Sequence, residues 1–343
     1  MYVHREVIET ISQYEKIYEY RNDKGNKITN SNTIEYIKSL KIPPAYENVK
    51  IDLNKNAKLL VTGYDVKGKK QYIYNPRWVE MRSIKKFCNM IEFGNKLPQI
   101  KNDIDKLLEL KGYPKEKIIA IIIKIITICH FRIGNPIGKD VYESYGVSTL
   151  NKTHFTPSKN MRSFTIDFRG KKGVQNKCIL KDPKLIEILC DLKDKAKNRN
   201  EQIFYYIEKR KRVPINSCDV NNFLKTYGNF TTKDFRTWYA NIYFIEEMVN
   251  SGPISDKITD RKRVVRESIK DIAEKLHHTV AISKKKYINP ELINMYIEEP
   301  RKFSKIVLKN YKGNNKSSNS FKEYLLENCK NKMNNIDKKY NMK

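Results

Sequence analysis

His278 and Tyr287 stand nine positions apart in the segment HTVAISKKKY. A tyrosine hydroxyl, with an ordinary pKa near 10, is a poor nucleophile at neutral pH. A cationic surrounding favours its ionised form and suits it to covalent attack on phosphorus. Three other cations have readable settings. Arg132 follows the apolar run Ile118–Ile128, Lys171 sits at the turn Arg169-Gly170-Lys171-Lys172-Gly173, and Arg236 lies in KDFRTWYAN. The sequence contains no P-loop, no dinucleotide-binding glycine fingerprint, no HExxH and no carboxylate cluster with metal spacing. Phosphoryl chemistry on this chain would therefore run without ATP and without a divalent metal, its transition-state charge met by side chains alone. Taken singly, each residue has an ordinary alternative: a surface tyrosine after a lysine run, a histidine pair capping a helix, arginines pairing with free carbonyls or lying on a helix surface, a solvated turn lysine.

Composition narrows the substrate. Over 343 residues, 68 Lys and Arg against 39 Asp and Glu leave a net charge of +29. That excess implies a polyanionic partner, although abundant Lys, Asn and Ile can also reflect an AT-rich genome. With 39% apolar and 11% aromatic residues the chain can build a core, and its length suits about two domains. The longest apolar run is broken by Lys124 and falls short of the roughly 20 residues a bilayer needs. The first ten residues, MYVHREVIET, lack the apolar segment of a secretory leader. The six cysteines are scattered without CxxC, which predicts reduced, mostly buried thiols rather than a zinc site or a disulfide framework.

These residues need elements to hold them. The first 95 residues read as strand-rich: Val49–Leu53 and Leu59–Tyr64, a turn at Asp65–Gly68, then Lys70–Tyr74 closed by Asn75-Pro76. Helical spacing runs from Trp78 to Ile91, and Gly94–Pro98 reads as a domain boundary. Beyond it, Ile118–Ile128 is apolar nearly all round, as in a core helix, and Arg132–Pro136 stops it. Ser163–Phe168 and Val174–Leu180 flank the Lys171 turn as a hairpin. Helices are expected near Asp182–Ala196, Asn221–Tyr227, Lys233–Asn250 and Thr259–Leu276, followed by the short segment Thr279–Tyr287. Lys312–Ser320 reads as a linker before a last helix, about Ser320–Asn334, and a basic tail.

Taken together, the ordered set Arg132, Lys171, Arg236, His278 and Tyr287 resembles that of the type IB DNA topoisomerases, particularly the compact enzymes of poxviruses, large DNA viruses and some bacteria. FRIGN followed by YGVSTL and His154 resembles the family's first-arginine motif, FRGKKG its lysine hairpin, KDFRTWYAN its second-arginine helix, and HTVAISKKKY its histidine-to-tyrosine segment. IPPAYENVKI and VTGYDVKGKKQYIYNPRW are similar to its small DNA-clamping domain, so the likeness spans roughly residues 40–300. The resemblance implies an α+β fold: a small antiparallel β-rich N-terminal clamp (1–95), a larger mostly helical catalytic domain of the topoisomerase IB and tyrosine recombinase fold (96–312), and a C-terminal linker and basic helix (313–343).

It further implies relaxation of supercoiled duplex DNA through a 3′-phosphotyrosyl intermediate, without ATP and with Mg²⁺ at most stimulatory. Tyr287 would be the nucleophile, Arg132, Arg236 and His278 donors to the phosphate oxygens, and Lys171 or its neighbour Lys172 the proton donor to the leaving 5′-oxygen. The family commonly has glycine before the catalytic histidine and proline after the threonine; here those positions are His277 and Val280, and His277 competes with His278. Gln71, Tyr72 and Tyr74 match the family's QYxY segment and become DNA contacts, with Arg82 and Lys233 as further candidates. The implied partner is double-stranded DNA, with no membrane and a monomeric protein inside the cell, or, for a viral protein, in the virion or the replication compartment. The rival readings are a tyrosine recombinase, in which histidine usually stands where Lys233 does, and an inactive DNA-binding relative.

Overall fold

The computed structural model describes residues 2–11, 16–136, 139 and 143–340, the side chains as far as Cys329. The chain divides into two compact units, residues 1–86 and 87–343.

In the first unit, β1 (Tyr2–Thr10), β2 (Lys16–Asn22), β3 (Glu47–Asp52), β4 (Leu59–Tyr64) and β5 (Lys70–Tyr74) form one antiparallel sheet in the order β2-β1-β3-β4-β5. Alternation turns Val3, Val49, Ile51 and Val61 inward, a register irregularity between Leu59 and Val61 buries Leu60 as well, and α1 (Ser31–Ser39) covers them with Ile37. Sequence reading placed β3 to β5 but missed β1 and β2. Their charged residues, Arg5, Glu6 and Glu9 on β1 and Lys16, Glu19 and Arg21 on β2, fall on both faces, so the strands lack a clean apolar alternation.

Where a boundary was expected, a single helix runs through. α2 spans Pro76–Leu108 and contains both Gly94 and Pro98. Those residues lie about one turn apart, and the helix accommodates each in a different way. A Cβ on Gly94 would come within 2.3 Å of the Trp238 ring, so glycine is what lets this helix lie against that indole. Pro98 is exposed, where its ring and missing N–H are tolerated. Glycine here marks close packing and the exposed proline is tolerated within the helix, neither of them a break between domains, and the division between the units falls nearer the start of the helix, at 86/87.

The second unit is built around α3 (Lys115–Cys129), whose isoleucines from Ile118 to Ile126 are buried as the sequence predicts, while Ile128 near its end is exposed. A three-stranded sheet, β6 (Phe155–Pro157), β7 (Phe164–Arg169) and β8 (Gln175–Leu180), packs beside it. Then come α4 (Pro183–Asp194), the two-stranded ribbon β9 (Tyr205–Glu208) and β10 (Lys211–Pro214), α5 (Ser217–Lys225), α6 (Thr232–Asn250) and α7 (Ile258–Lys275). A five-residue π turn, Ser283–Tyr287, leads into α8 (Pro290–Glu298). The last helix, α9 (Lys316–Tyr340), begins inside the expected linker and buries Phe321, Tyr324 and Leu325. Residues 341–343, the end of the basic tail, lie outside the described residues.

The cysteine expectation is overturned for four of the six. Cys88 pairs with Cys329 and Cys129 with Cys178, each with Cα atoms 5.7 Å apart, while Cys190 and Cys218 are free. Sequence spacing could not show this, because the partners lie 241 and 49 residues apart and meet only through packing. Among the described residues no group of His, Cys, Asp and Glu could hold a metal ion, and no helix is long and apolar enough to cross a membrane.

Candidate active site

Each candidate residue is placed by a local feature of its element. α3 ends because His130 takes a left-handed conformation, φ +55°, and its N–H caps Ile126 O. The helix therefore stops before the expected Arg132–Pro136. Gly134 and Gly146 instead allow two backbone segments to touch: a Cβ on Gly146 would lie 2.4 Å from Gly134 N and 2.7 Å from Arg132 O. With side chains excluded there, Val147 donates to Arg132 O at 2.9 Å and Ser148 to Ile133 O at 2.8 Å. This close approach explains why FRIGN and YGVSTL both need glycine. His154 supports the same loop, accepting from Asn151 N at 3.0 Å through Nδ1 and packing on Tyr145.

Arg236 rises from the first turns of α6 and is 2% exposed. Its Nη1 donates to His130 O, and its Nη2 donates to Leu276 O at 2.7 Å and to His278 Nε2. Its Nε is buried with no hydrogen-bond partner among the described residues. Burial pushes this guanidinium down to about 10, with Tyr287 opposing the shift, so it stays charged at neutral pH. Arg132 approaches from the other side, its Nη1 donating to His277 O at 3.4 Å. Burial lowers its pKa and Tyr287 again opposes.

His278 lies flat on Tyr287, ring centroids 4.2 Å apart and planes 26° from parallel, with the Arg236 guanidinium carbon 5.6 Å from the tyrosine ring centre. Burial, then the charges of Arg236 and Arg132, push His278 down to about 2, so the imidazole is neutral. Because Nε2 accepts from Arg236, Nδ1 carries the proton and faces Ser283 Oγ at 3.3 Å. His277 is directed elsewhere: left-handed at φ +52°, it packs on Phe131, with Nε2 3.2 Å from Cys129 O. Tyr287 itself is 7% exposed, at the end of the π turn closed by Ile288 N to Ser283 O at 3.0 Å.

Arg132, Arg236, His278 and Tyr287 are thus gathered, and Lys171 is not joined to them by any contact among the described residues. It is exposed at the tip of the β7–β8 hairpin, where Gly170 N to Val174 O, 2.8 Å, and Gly173 N to Gly170 O, 3.0 Å, close the turn. Lys172 holds the left-handed position, φ +64°.

Sequence reasoning missed Asn241. Fully buried on α6, its amide donates to Tyr287 O at 3.0 Å and its carbonyl accepts from Asn289 N at 2.8 Å, clamping the backbone on either side of Ile288, directly after the tyrosine. An asparagine within a helix's apolar face was the available signal. Ser283, which faces His278, carried none.

In the other unit, the DNA-contact candidates Gln71, Tyr72, Tyr74 and Arg82 lie on or near β5, an edge strand. Alternation puts Tyr72 and Tyr74 on one face, with Tyr74 stacked on Trp78 at 5.0 Å and Arg82 over Trp78 at 5.2 Å. Gln71 turns to the opposite face and donates to Asp65 Oδ2 at 2.7 Å. Lys233 is exposed in the first turn of α6, one turn before Arg236.

Residues 75–311 match the family model for the catalytic core of eukaryotic DNA topoisomerase I, and residues 17–65 match that for the N-terminal domain of bacterial DNA topoisomerase IB. The DNA topoisomerase 1B of Acanthamoeba polyphaga mimivirus is 28% identical over 300 residues, 84% of this chain and 87% of that protein. The DNA topoisomerase 1B of vaccinia virus, strain Copenhagen, is 25% identical over 239 residues, 69% of this chain and 72% of that one. The DNA topoisomerase 1 of Mycosarcoma maydis is 27% identical over 239 residues, covering 62% of this chain and 23% of that protein.

Proposed function

Since the chain belongs to the type IB DNA topoisomerase family and has its function, we propose that Tyr287 is the nucleophile that opens and reseals one strand of duplex DNA. The carrying observation is the stack of His278 on Tyr287 beside the buried Arg236 guanidinium. In the proposed step the Tyr287 Oη–H proton leaves to water, an Oη–P bond forms and the P–O5′ bond breaks. A 3′-phosphotyrosyl link and a 5′-hydroxyl result, and the reverse attack reseals the strand. The energy of the backbone bond is kept in the link, which supports turnover without ATP.

The five-coordinate phosphorus of the transition state carries its extra charge on non-bridging oxygens, and Arg132 and Arg236 supply planar, always-charged donors for them. A phosphate oxygen is a stronger acceptor than an imidazole nitrogen, so it would take up Arg236 and free His278 Nε2 to donate in turn. Ser283 Oγ, a hydroxyl that both donates and accepts, suits the tautomer change this requires. Lys171 would hand its proton to the leaving O5′, which needs the hairpin tip to move toward the phosphate. Tyr72, Tyr74 and Arg82 suit phosphate and base contacts. Gln71 would have to exchange Asp65 for a base edge, and Lys233 would meet a phosphate near the break. A monomer acting inside the cell, with no cofactor and Mg²⁺ only stimulatory, completes this reading.

The test is direct. Plasmid incubated with the protein in EDTA and then denatured should carry protein at the 3′ side of a nick, and Tyr287→Phe should lose both nick and relaxation while still binding duplex. Relaxation by the phenylalanine variant would place the nucleophile elsewhere.

A further inference from the structure

The Cys129–Cys178 bond joins the two segments that carry Arg132 and Lys171. Cys129 is the last residue of α3, three before Arg132, and Cys178 sits on β8, opposite Ile166 in the hairpin register. The hairpin's other strand reaches the same arginine segment through backbone alone. Tyr145 N donates to Arg169 O at 3.0 Å, and the neighbouring Val147 N donates to Arg132 O at 2.9 Å. Both strands of the lysine hairpin are thus moored to the Arg132 segment, β7 by hydrogen bonds and β8 by a covalent bond. The last rung, Arg169 opposite Gln175, leaves only the turn Gly170–Val174 free to swing.

Cys129 is buried, but Cys178 is partly exposed, and both line an open cavity with Gln175, Lys177 and His278, so small thiols and disulfides have a route to the pair through Cys178.

We propose that Cys129 and Cys178 are positioning residues: their disulfide tethers the hairpin so that Lys171 reaches the leaving 5′-oxygen, and the thiol–disulfide state of the pair sets the rate of proton delivery. This rests on the reading of Lys171 as the proton donor. Closing the bond removes two protons and two electrons from the thiols; a small-molecule disulfide takes up both and is cleaved to two thiols by exchange. General acid catalysis contributes roughly 10²–10⁴-fold and is steeply sensitive to position, so a loosened hairpin loses part of it.

The experiment is single-turnover cleavage of two duplexes, one with the ordinary 5′-bridging oxygen and one with sulfur there, which departs as a thiolate and needs no proton. Wild-type protein oxidised with a small disulfide is compared with the phosphine-reduced wild type and with Cys178→Ser; Cys329→Ser, which breaks only the other bridge, is the control. Reduction and Cys178→Ser should each slow cleavage of the oxygen duplex about tenfold and of the sulfur duplex less than about twofold, with duplex affinity unchanged. Should Cys178→Ser fold poorly, the reduced wild type reads the same effect. Equal rates on the oxygen duplex would overturn the tether, as would equal losses on both duplexes or two free thiols at 129 and 178 after oxidation. Lys171→Ala separates the two readings. If the sulfur duplex restores its rate, Lys171 stands as the donor whatever the cysteines do; if not, the donor reading falls and the tether with it.

Discussion

At the scale of single residues, Arg236 is the group whose geometry can least be replaced. Its planar fork serves His130 O, Leu276 O and His278 Nε2 at once. Arg236→Lys keeps the charge and loses the fork, so single-turnover cleavage should fall on the order of 10²–10³-fold while duplex binding stays near wild type. A loss below about threefold would mean that charge alone suffices. Asn241 acts at one remove. Asn241→Ala would strand Tyr287 O and Asn289 N in a buried site, each lost hydrogen bond costing about 1–3 kcal/mol. The expected result is cleavage slowed about tenfold or more, with Asn241→Gln no rescue, because its longer side chain cannot bridge the same two backbone groups. Unchanged cleavage kinetics in the alanine variant would show that the π turn holds Tyr287 without the clamp.

At the scale of elements, the site depends on how α6 is gripped from behind. Trp238, one residue beyond Thr237 on that helix, sits against Gly94 of α2 and packs on Phe321 of α9, ring centroids 5.3 Å apart. Gly94→Ala should therefore destabilise by about 1–3 kcal/mol, as overpacking does. Phe321→Ala should cost about 3–5 kcal/mol by emptying a fully buried ring site. Thermal melts of both variants check this; an unchanged Gly94→Ala melt would mean that α2 and α6 can separate freely. The C-terminal helix, expected from sequence as a basic appendage, is by its burial and the Cys88–Cys329 bond part of the catalytic unit's core.

At the scale of the whole molecule, two ionic properties follow. Burial holds His130 near 3, His154 and His277 near 4 and His278 near 2, all well below an exposed imidazole. The unfolded chain then binds more protons than the folded one between about pH 2 and 6.5, so stability rises with pH across that window and is fully present above it. The melting temperature should be flat from about pH 7 to 8 and fall steadily below about pH 6.5. A flat profile down to pH 5 would mean that these rings are solvated. The +29 charge predicts a counterion-release response: with six to ten phosphates contacted, affinity should fall roughly 10³–10⁵-fold between 50 and 200 mM salt. A shallow slope would point to few phosphate contacts.

The sequence alone determined which residues are candidates for the chemistry and which local elements carry them. Apolar runs and alternation announced α3, the β7–β8 hairpin and β3 to β5, because those signals are written in neighbouring residues. It also placed Arg236 in the first turns of a helix and Tyr287 at the end of a short segment after one. Tertiary structure decided what depends on distance in space. It turned His278, rather than His277, onto Tyr287, and set Gly94 and Gly134 to close packing instead of breaks. It also brought Asn241 to the tyrosine backbone and joined cysteines 49 and 241 residues apart. A residue's period and type report on its own element, whereas the partner across a packed interface is chosen by how the elements dock, which no local stretch of sequence encodes.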